Sequence, residues 1–384
     1  MDELPVAPLE VLRERRSAKW RTFPPDVLPL PVAEHDFPLA EPIAEALHAA
    51  VGRSDTGYAM AAPVLGQAVA GFAGRRWGWE IEPARVAAVG DVGVGVVELL
   101  RVLAGPGRTV VFSPPVYSPF FNWVPEAGAT TVEVPLRRTD DGWRLDLPAL
   151  ERAFADRPAA YVLCSPHNPV GRVHAAEELG ALVELARRYG VTVVADEIHA
   201  PLVLPGATFT PILTLPGAAD VAVSLVSASK AWNLAGLKCA AVVAGSARTA
   251  ELLGRLPADL RWRVGHFGVL ASIAAFTDGE PWLDRLLLTL DRRRSQLAGL
   301  LAARLPEVRW HPPEATYLAW LDCRRFGEGD GPRDAVLERA RIALEPGPRY
   351  GAPGSGHVRL NFGTSAEVVD TAVAGMARAL RSGR

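Results

Sequence analysis

Two charged residues stand where apolar runs end. Lys230, in LVSASKAWNLAG (225–236), follows VAVSLV (221–226), and Asp196 closes VTVVAD (191–196). Alone, a lysine at a strand end reads as a snorkelling surface residue. A carboxylate at the end of an apolar strand, however, costs desolvation unless a cation or hydrogen-bond donors meet it. Both charges point toward the same sheet edge. An amine that acts as a nucleophile is desolvated, or set near other cations, so that its neutral form is accessible near pH 7; a Schiff-base lysine meets that need. The cofactor that joins such a lysine to an aspartate is pyridoxal 5'-phosphate, whose pyridine nitrogen stays a protonated electron sink only beside an anion.

The elements that must position these residues are legible as short apolar runs alternating with amphipathic helical patterns, the signature of an α/β fold with a mostly parallel sheet. The runs are RVAAV (85–89), TVVF (109–112), AYVLC (160–164), VTVVAD (191–196) and VAVSLV (221–226), joined by CAAVVAG (239–245). They have the continuous apolar character of strands covered on both faces. The spacing of Leu179, Leu182, Val183 and Ala186 predicts a helix over 175–190, stopped by Gly190. Ligands of such sheets sit beyond the carboxyl ends of the strands. The runs are followed by GDVGVG (90–95), SPPVY (113–117), SPHNPVG (165–171), DEIHAP (196–201) and SASK (227–230), a concentration of polar, Gly and Pro residues that turns alone do not require. GDVGVG precedes the helical VVELLRVL and so offers amides for an anion at a helix N-terminus. Its order is not GxGxxG and no acidic ribose partner follows, which lowers a nicotinamide-dehydrogenase reading. Ser227 and Ser229 either supply hydroxyls to that anion or merely turn the chain.

After about residue 280 the pattern changes. A long helix, PWLDRLLLTLDRRRSQLAGLLAARL, precedes the strand-like TYLAWLDC (316–323) and HVRLNF (357–362), which predicts a second, smaller α+β domain. The first 45 residues are Pro-rich, with LPLPVAEHDF extended and draped over a domain. The expected division is a large domain over 46–284 and a small one built from 1–45 and 285–384.

Bulk properties exclude several function classes. The chain has 384 residues, 49% of them hydrophobic, enough for a large core. Its 41 basic against 43 acidic residues leave a net charge of -2, no field for nucleic acid or an anionic membrane. Cys164, Cys239 and Cys323 are far apart, with no spacing for a metal site or a disulfide framework. With neither a signal-like N-terminus nor a membrane span, the chain is expected to be cytoplasmic.

SPHNPVG, ADEIHAPL, SASKAWNLAGLK and VRLNFGTS occur in an order and spacing that resembles fold-type I pyridoxal-phosphate enzymes of the aminotransferase class I/II superfamily, across nearly the whole chain. DEIH, RRSAKW...VLPLPVAEHDF and the TGY at 56–58 resemble the cystathionine β-lyase branch, the MalY-like or PatB-like C–S lyases. The resemblance implies an aspartate-aminotransferase-like fold with a seven-stranded, mostly parallel sheet. It makes Lys230 the residue joined to the cofactor aldehyde and the later proton shuttle, and Asp196 the partner of the pyridine nitrogen. Asn168 matches the partner of the cofactor's phenolic oxygen. Tyr117 matches the ring on the pyridine face, or else is a core tyrosine. Lys238 matches a phosphate ligand beside Ser227, Ser229 and the backbone of Val92 and Gly93, or else is a solvated lysine. Tyr58 matches the tyrosine that reaches the neighbouring subunit's phosphate, which implies a homodimer with shared sites. Arg359 matches the bidentate ligand of the substrate carboxylate. His199 is either a satisfied structural histidine or a group behind the phenolic-oxygen partner. Departures fall at SPHNPVG, at VAEHDF with its Glu34 and His35, and at GDVGVG. The implied reaction is β-elimination from cystathionine or another cysteine S-conjugate, giving pyruvate, ammonia and a thiol. The alternative is amino transfer, and a scaffold without turnover ranks below both.

Overall fold

The structure, a computed structural model, describes residues 2–381. Six of the apolar runs become strands of one sheet: β1 (Val86–Val89), β2 (Thr109–Phe112), β4 (Ala160–Cys164), β5 (Thr192–Asp196), β6 (Ala222–Val226) and β7 (Ala240–Ala244), with β3 (Thr130–Glu133) between β2 and β4 in the chain. The spatial order is β1-β7-β6-β5-β4-β2-β3. Burial explains why the sequence reveals most of these strands. β4, β6 and β7 are buried at every residue, as both faces of a helix-covered sheet must be. β3 is a half-exposed edge strand of sequence TTVE, with no apolar run to mark it.

Only β7 runs against its neighbours β1 and β6; the remaining ladders are parallel. The start of β7 therefore lies at the same edge as the carboxyl ends of the others. Helix α1 (Val92–Leu103) follows β1, and the Asp91 carboxylate caps it by accepting from Val94 N at 2.8 Å. Gly95 lets α1 lie close on the sheet, because a Cβ there would stand 2.7 Å from the Leu225 side chain. Helix α2 (Ala176–Tyr189) buries the predicted Leu179, Leu182, Val183 and Ala186 and ends at Gly190 in the left-handed conformation.

Beyond the sheet, the long helix α3 (Glu280–Arg304) and the C-terminal α4 (Ala366–Arg381) pack together beside a three-stranded antiparallel sheet. Its strands are β8 (Leu318–Asp322), β9 (Glu345–Pro346) and β10 (His357–Asn361), in the order β8-β10-β9. The Pro-rich N-terminal segment contains two one-turn helices, Leu9–Leu12 and Ala18–Arg21. It then runs extended as a strap. Leu28–Pro29 pairs parallel with Ile342–Ala343, Asn361 N donates to Leu30 O, and Asp36 N donates to Gly363 O. A buried ion pair, Lys19 Nζ to Asp36 at 2.8 Å, ties the second one-turn helix to the strap. One hydrophobic cluster runs from Leu30 and Phe37 through Trp232 and Phe276 to Leu360 and Met376, so the strap shares a core with both sheets. Among the described residues no helix is long and apolar enough to cross a membrane.

Candidate active site

A cavity of about 300 Å³ opens at the carboxyl edge of the central sheet, bordered by the strap. β1 delivers Asp91, Val92 and Gly93 to it, β2 Tyr117, β4 Asn168, β5 Asp196 and His199, and β6 Ser229 and Lys230. The reversed β7 delivers Lys238 and Cys239 from its starting end.

Lys230 and Asp196 face this cavity without pairing directly. Lys230 Nζ donates to the strap carbonyl of Ala33 at 3.2 Å. Burial, reinforced by the nearby Arg359 cation, lowers the Lys230 amine to about 8, against weaker opposing fields from Glu34 and Asp196. Neutral amine is thus a substantial species near physiological pH. Asp196 accepts from Ile198 N at 3.2 Å, and burial raises its carboxyl to about 6 despite that bond and the field of Lys230. A buried carboxylate with so little compensation is an electrostatic vacancy for a cationic hydrogen-bond donor.

Asn168 and Arg359 meet. Arg359 Nη1 donates to Asn168 Oδ1 at 2.9 Å and Nη2 to Pro31 O at 2.6 Å, with the guanidinium over the Tyr350 ring at 5.2 Å. Its Nε is buried with no partner, and so is His199 Nδ1. His199 is held neutral, because burial first, then Lys230 and Arg359, lower it to about 3. The charged-switch role open to a histidine is therefore closed to this one, and a neutral hydrogen-bonding role remains.

The far end of the cavity is arranged around the first turn of α1. The Asp91 cap uses Val94 N, which leaves the amides of Val92 and Gly93 as first-turn donors. The other Asp91 oxygen accepts from Lys238 Nζ at 3.0 Å, at an exposed rim. Trp123 covers Gly93 so closely that a Cβ there would lie 2.8 Å from the indole, and it meets Tyr117 edge-on with ring centroids 5.8 Å apart. Ser227 is turned away: its hydroxyl donates to Cys239 O at 2.8 Å and accepts from Ser229 N at 3.1 Å. That is the turn-forming alternative, whereas Ser229 does line the cavity.

Tyr58 is 80% exposed and packs edge-on against Trp262, away from this cavity. Sequence reasoning also passed over residues that shape the site. Trp123 carried no signal beyond being aromatic. Tyr317 did carry one, since a phenol inside the apolar run TYLAWLDC needs a buried partner, and its hydroxyl donates to Ala33 O at 3.0 Å. Asn361 likewise donates to Val32 O and Glu34 O, both at 2.7 Å, from inside a strand.

Comparisons with known proteins give the family. Residues 25–376 match the family "Aminotransferase class I and II". A Mycobacterium leprae (strain TN) protein with a provisional cystathionine beta-lyase name is 46% identical, over 97% of this chain and 96% of its own. "Cystathionine beta-lyase PatB" of Bacillus subtilis (strain 168) is 35% identical, over 88% of this chain and 89% of its own. The crystal structure of a protein from Corynebacterium diphtheriae, provisionally described as a PLP-dependent beta-cystathionase, superposes with a TM-score of 0.92. It is 32% identical, with 98% of this chain and 99% of that chain covered. The fold is thus the aspartate-aminotransferase-like fold type I, with the mostly parallel seven-stranded sheet. With its sheet, its cavity and its sequence all pointing the same way, the chain belongs to the aminotransferase class I and II family.

Proposed function

We propose that the protein is a pyridoxal-phosphate-dependent C–S β-lyase acting on cystathionine or another L-cysteine S-conjugate. The observation that carries this reading is the convergence, in one cavity, of a depressed-pKa lysine, an uncompensated buried aspartate and an unpartnered neutral histidine. These vacancies fit the cofactor. Asp196 would meet its protonated ring nitrogen, Asn168 its phenolic oxygen with His199 behind, and Tyr117 its ring face. Val92 and Gly93 amides, Ser229 and Lys238 would meet its phosphate. Ser227 supports that end only through the turn it caps.

When bound, the cofactor supplies an electron sink conjugated to the substrate Cα. The chain's own residues do the rest. Arg359, with Nε unpartnered and its two Nη groups already tied to Asn168 and Pro31, is held in place to grip the substrate carboxylate. Neutral Lys230 takes the Cα proton. Asp196 stabilises positive charge across the ring; at an effective dielectric near 20, a charge pair about 4 Å apart is worth on the order of 4 kcal/mol. The Lys230 ammonium formed in that step would then return its proton to the sulfur as the Cβ–S bond breaks, so that the leaving group departs as the thiol.

The relatives' names support cystathionine as a substrate, and the exposed Tyr58 supports a homodimer in which it reaches the neighbouring site. The division into a large domain over 46–284 and a small domain from 1–45 and 285–384 belongs to the same proposal, as does a cytoplasmic location. The test is direct: with L-cystathionine and no keto acid, purified enzyme releases pyruvate and ammonia. Strict dependence on an added keto acid would overturn the lyase reading in favour of amino transfer.

A further inference from the structure

We propose that Tyr317 is a positioning residue for the Lys230 amine, acting through the Ala33 carbonyl to which both side chains donate. The inference rests on the reading of Lys230 as the proton-transferring amine. Two donors on one oxygen define it: Tyr317 OH to Ala33 O at 3.0 Å and Lys230 Nζ to the same oxygen at 3.2 Å, with Lys230 O at 3.4 Å a longer second contact of the same phenol proton. The phenol is fully buried, and His35 stands edge-on to its ring at 5.7 Å. Burial pushes its pKa well above the ordinary phenol value, so it is a permanent neutral donor.

The two donors differ in kind. Tyr317 is always present at the Ala33 oxygen, whereas Lys230 leaves it whenever the amine bonds elsewhere. The strap carrying that oxygen is held at Pro31 by Arg359 and at Val32 and Glu34 by Asn361, so it does not follow the lysine. Tyr317 thus keeps the carbonyl satisfied while the amine is away, and its own Lys230 O contact fixes the root of the side chain. Two donors on one oxygen also weaken each other, so Tyr317 limits how firmly Ala33 holds an ammonium. The other charged groups that act on Lys230 are Arg359, Glu34, Asp196 and Lys238, none of which the substitution touches.

Tyr317→Phe removes the hydroxyl and keeps the ring. The first readout is the rate at which cofactor-free protein recovers its visible absorbance with added pyridoxal phosphate, followed against pH, because only the neutral amine reacts. Removing the competing donor favours the ammonium, so the midpoint rises by about half a pH unit and recovery on its acid side slows about threefold. The second readout is turnover of L-cystathionine, where kcat falls and KM stays. 3-Fluorotyrosine at 317, a stronger donor, moves the midpoint the opposite way and serves if the phenylalanine variant folds poorly. An unmoved midpoint with unchanged kcat overturns the proposal, whatever the melting temperature does. Borohydride reduction and peptide mapping separate the two levels. Failure to mark Lys230 sinks the reading beneath it, whereas marked Lys230 with an unmoved midpoint sinks only the role of Tyr317.

Discussion

Replacing Lys230 by methionine should make the cofactor-free protein more stable while abolishing turnover. Methionine has a similar reach and no charge to desolvate. The Lys230 amine falls from an ordinary 10.5 to about 8, with burial the first cause and Arg359 the second. The native state therefore disfavours the protonated form. Below about pH 8 the lysine is charged in both native and unfolded chains, and the full penalty is present. Between about 8 and 10.5 the unfolded chain binds the extra proton, so stability rises with pH there. At about 1.4 kcal/mol per pH unit, the interval corresponds to roughly 3 kcal/mol at pH 7, falling below about 1 kcal/mol at pH 10. Water in the cavity makes that an upper bound. Urea unfolding of both cofactor-free proteins at the two pH values measures the difference. A methionine variant no more stable at pH 7, or equally stabilised at pH 10, would refute the electrostatic account of this lysine.

Asp196→Asn should lower kcat about 100-fold by removing the anion, measured with saturating cofactor. Because burial raises Asp196 to about 6, the native chain binds its proton more readily than the unfolded chain. The same variant should therefore stabilise the cofactor-free protein at pH 7 but not at pH 3, where both states are protonated. Arg359→Gln should cost about 30- to 1000-fold in kcat/KM, chiefly through KM, since it removes the carboxylate grip and leaves Pro31 O or Asn168 Oδ1 unpaired. Mixing Tyr58→Phe with Lys230→Ala subunits should restore one site of normal cofactor affinity per hybrid dimer. Equilibrium binding on the re-annealed mixture checks it, and no recovery would mean Tyr58 does not act across the interface.

How much was readable from sequence follows from burial. Helix-covered strands had to be apolar throughout, so β2 and β4 were found to the residue. β3, polar at an edge, announced nothing. Charges at the ends of apolar runs were conspicuous for the same reason, which is why Lys230 and Asp196 stood out, whereas Arg359, in the middle of HVRLN, was marked by the family resemblance. The reversal of β7 was invisible, because an antiparallel strand buried on both faces reads like a parallel one. So was the strap's contribution, since Ala33 and Pro31 act through backbone oxygens that no side-chain pattern advertises.

The strap also sets a timetable for biosynthesis. Pro31 is made 328 residues before its donor Arg359, and Asp36 waits for Gly363. Such long-range closures are late and slow events in folding. A nascent chain can carry Lys230 and Asp196 on a finished sheet and still lack the oxygen that holds the amine. The acceptor that holds the amine is thus among the last parts of the cavity to arrive, and a chain made only as far as the sheet leaves that amine unheld.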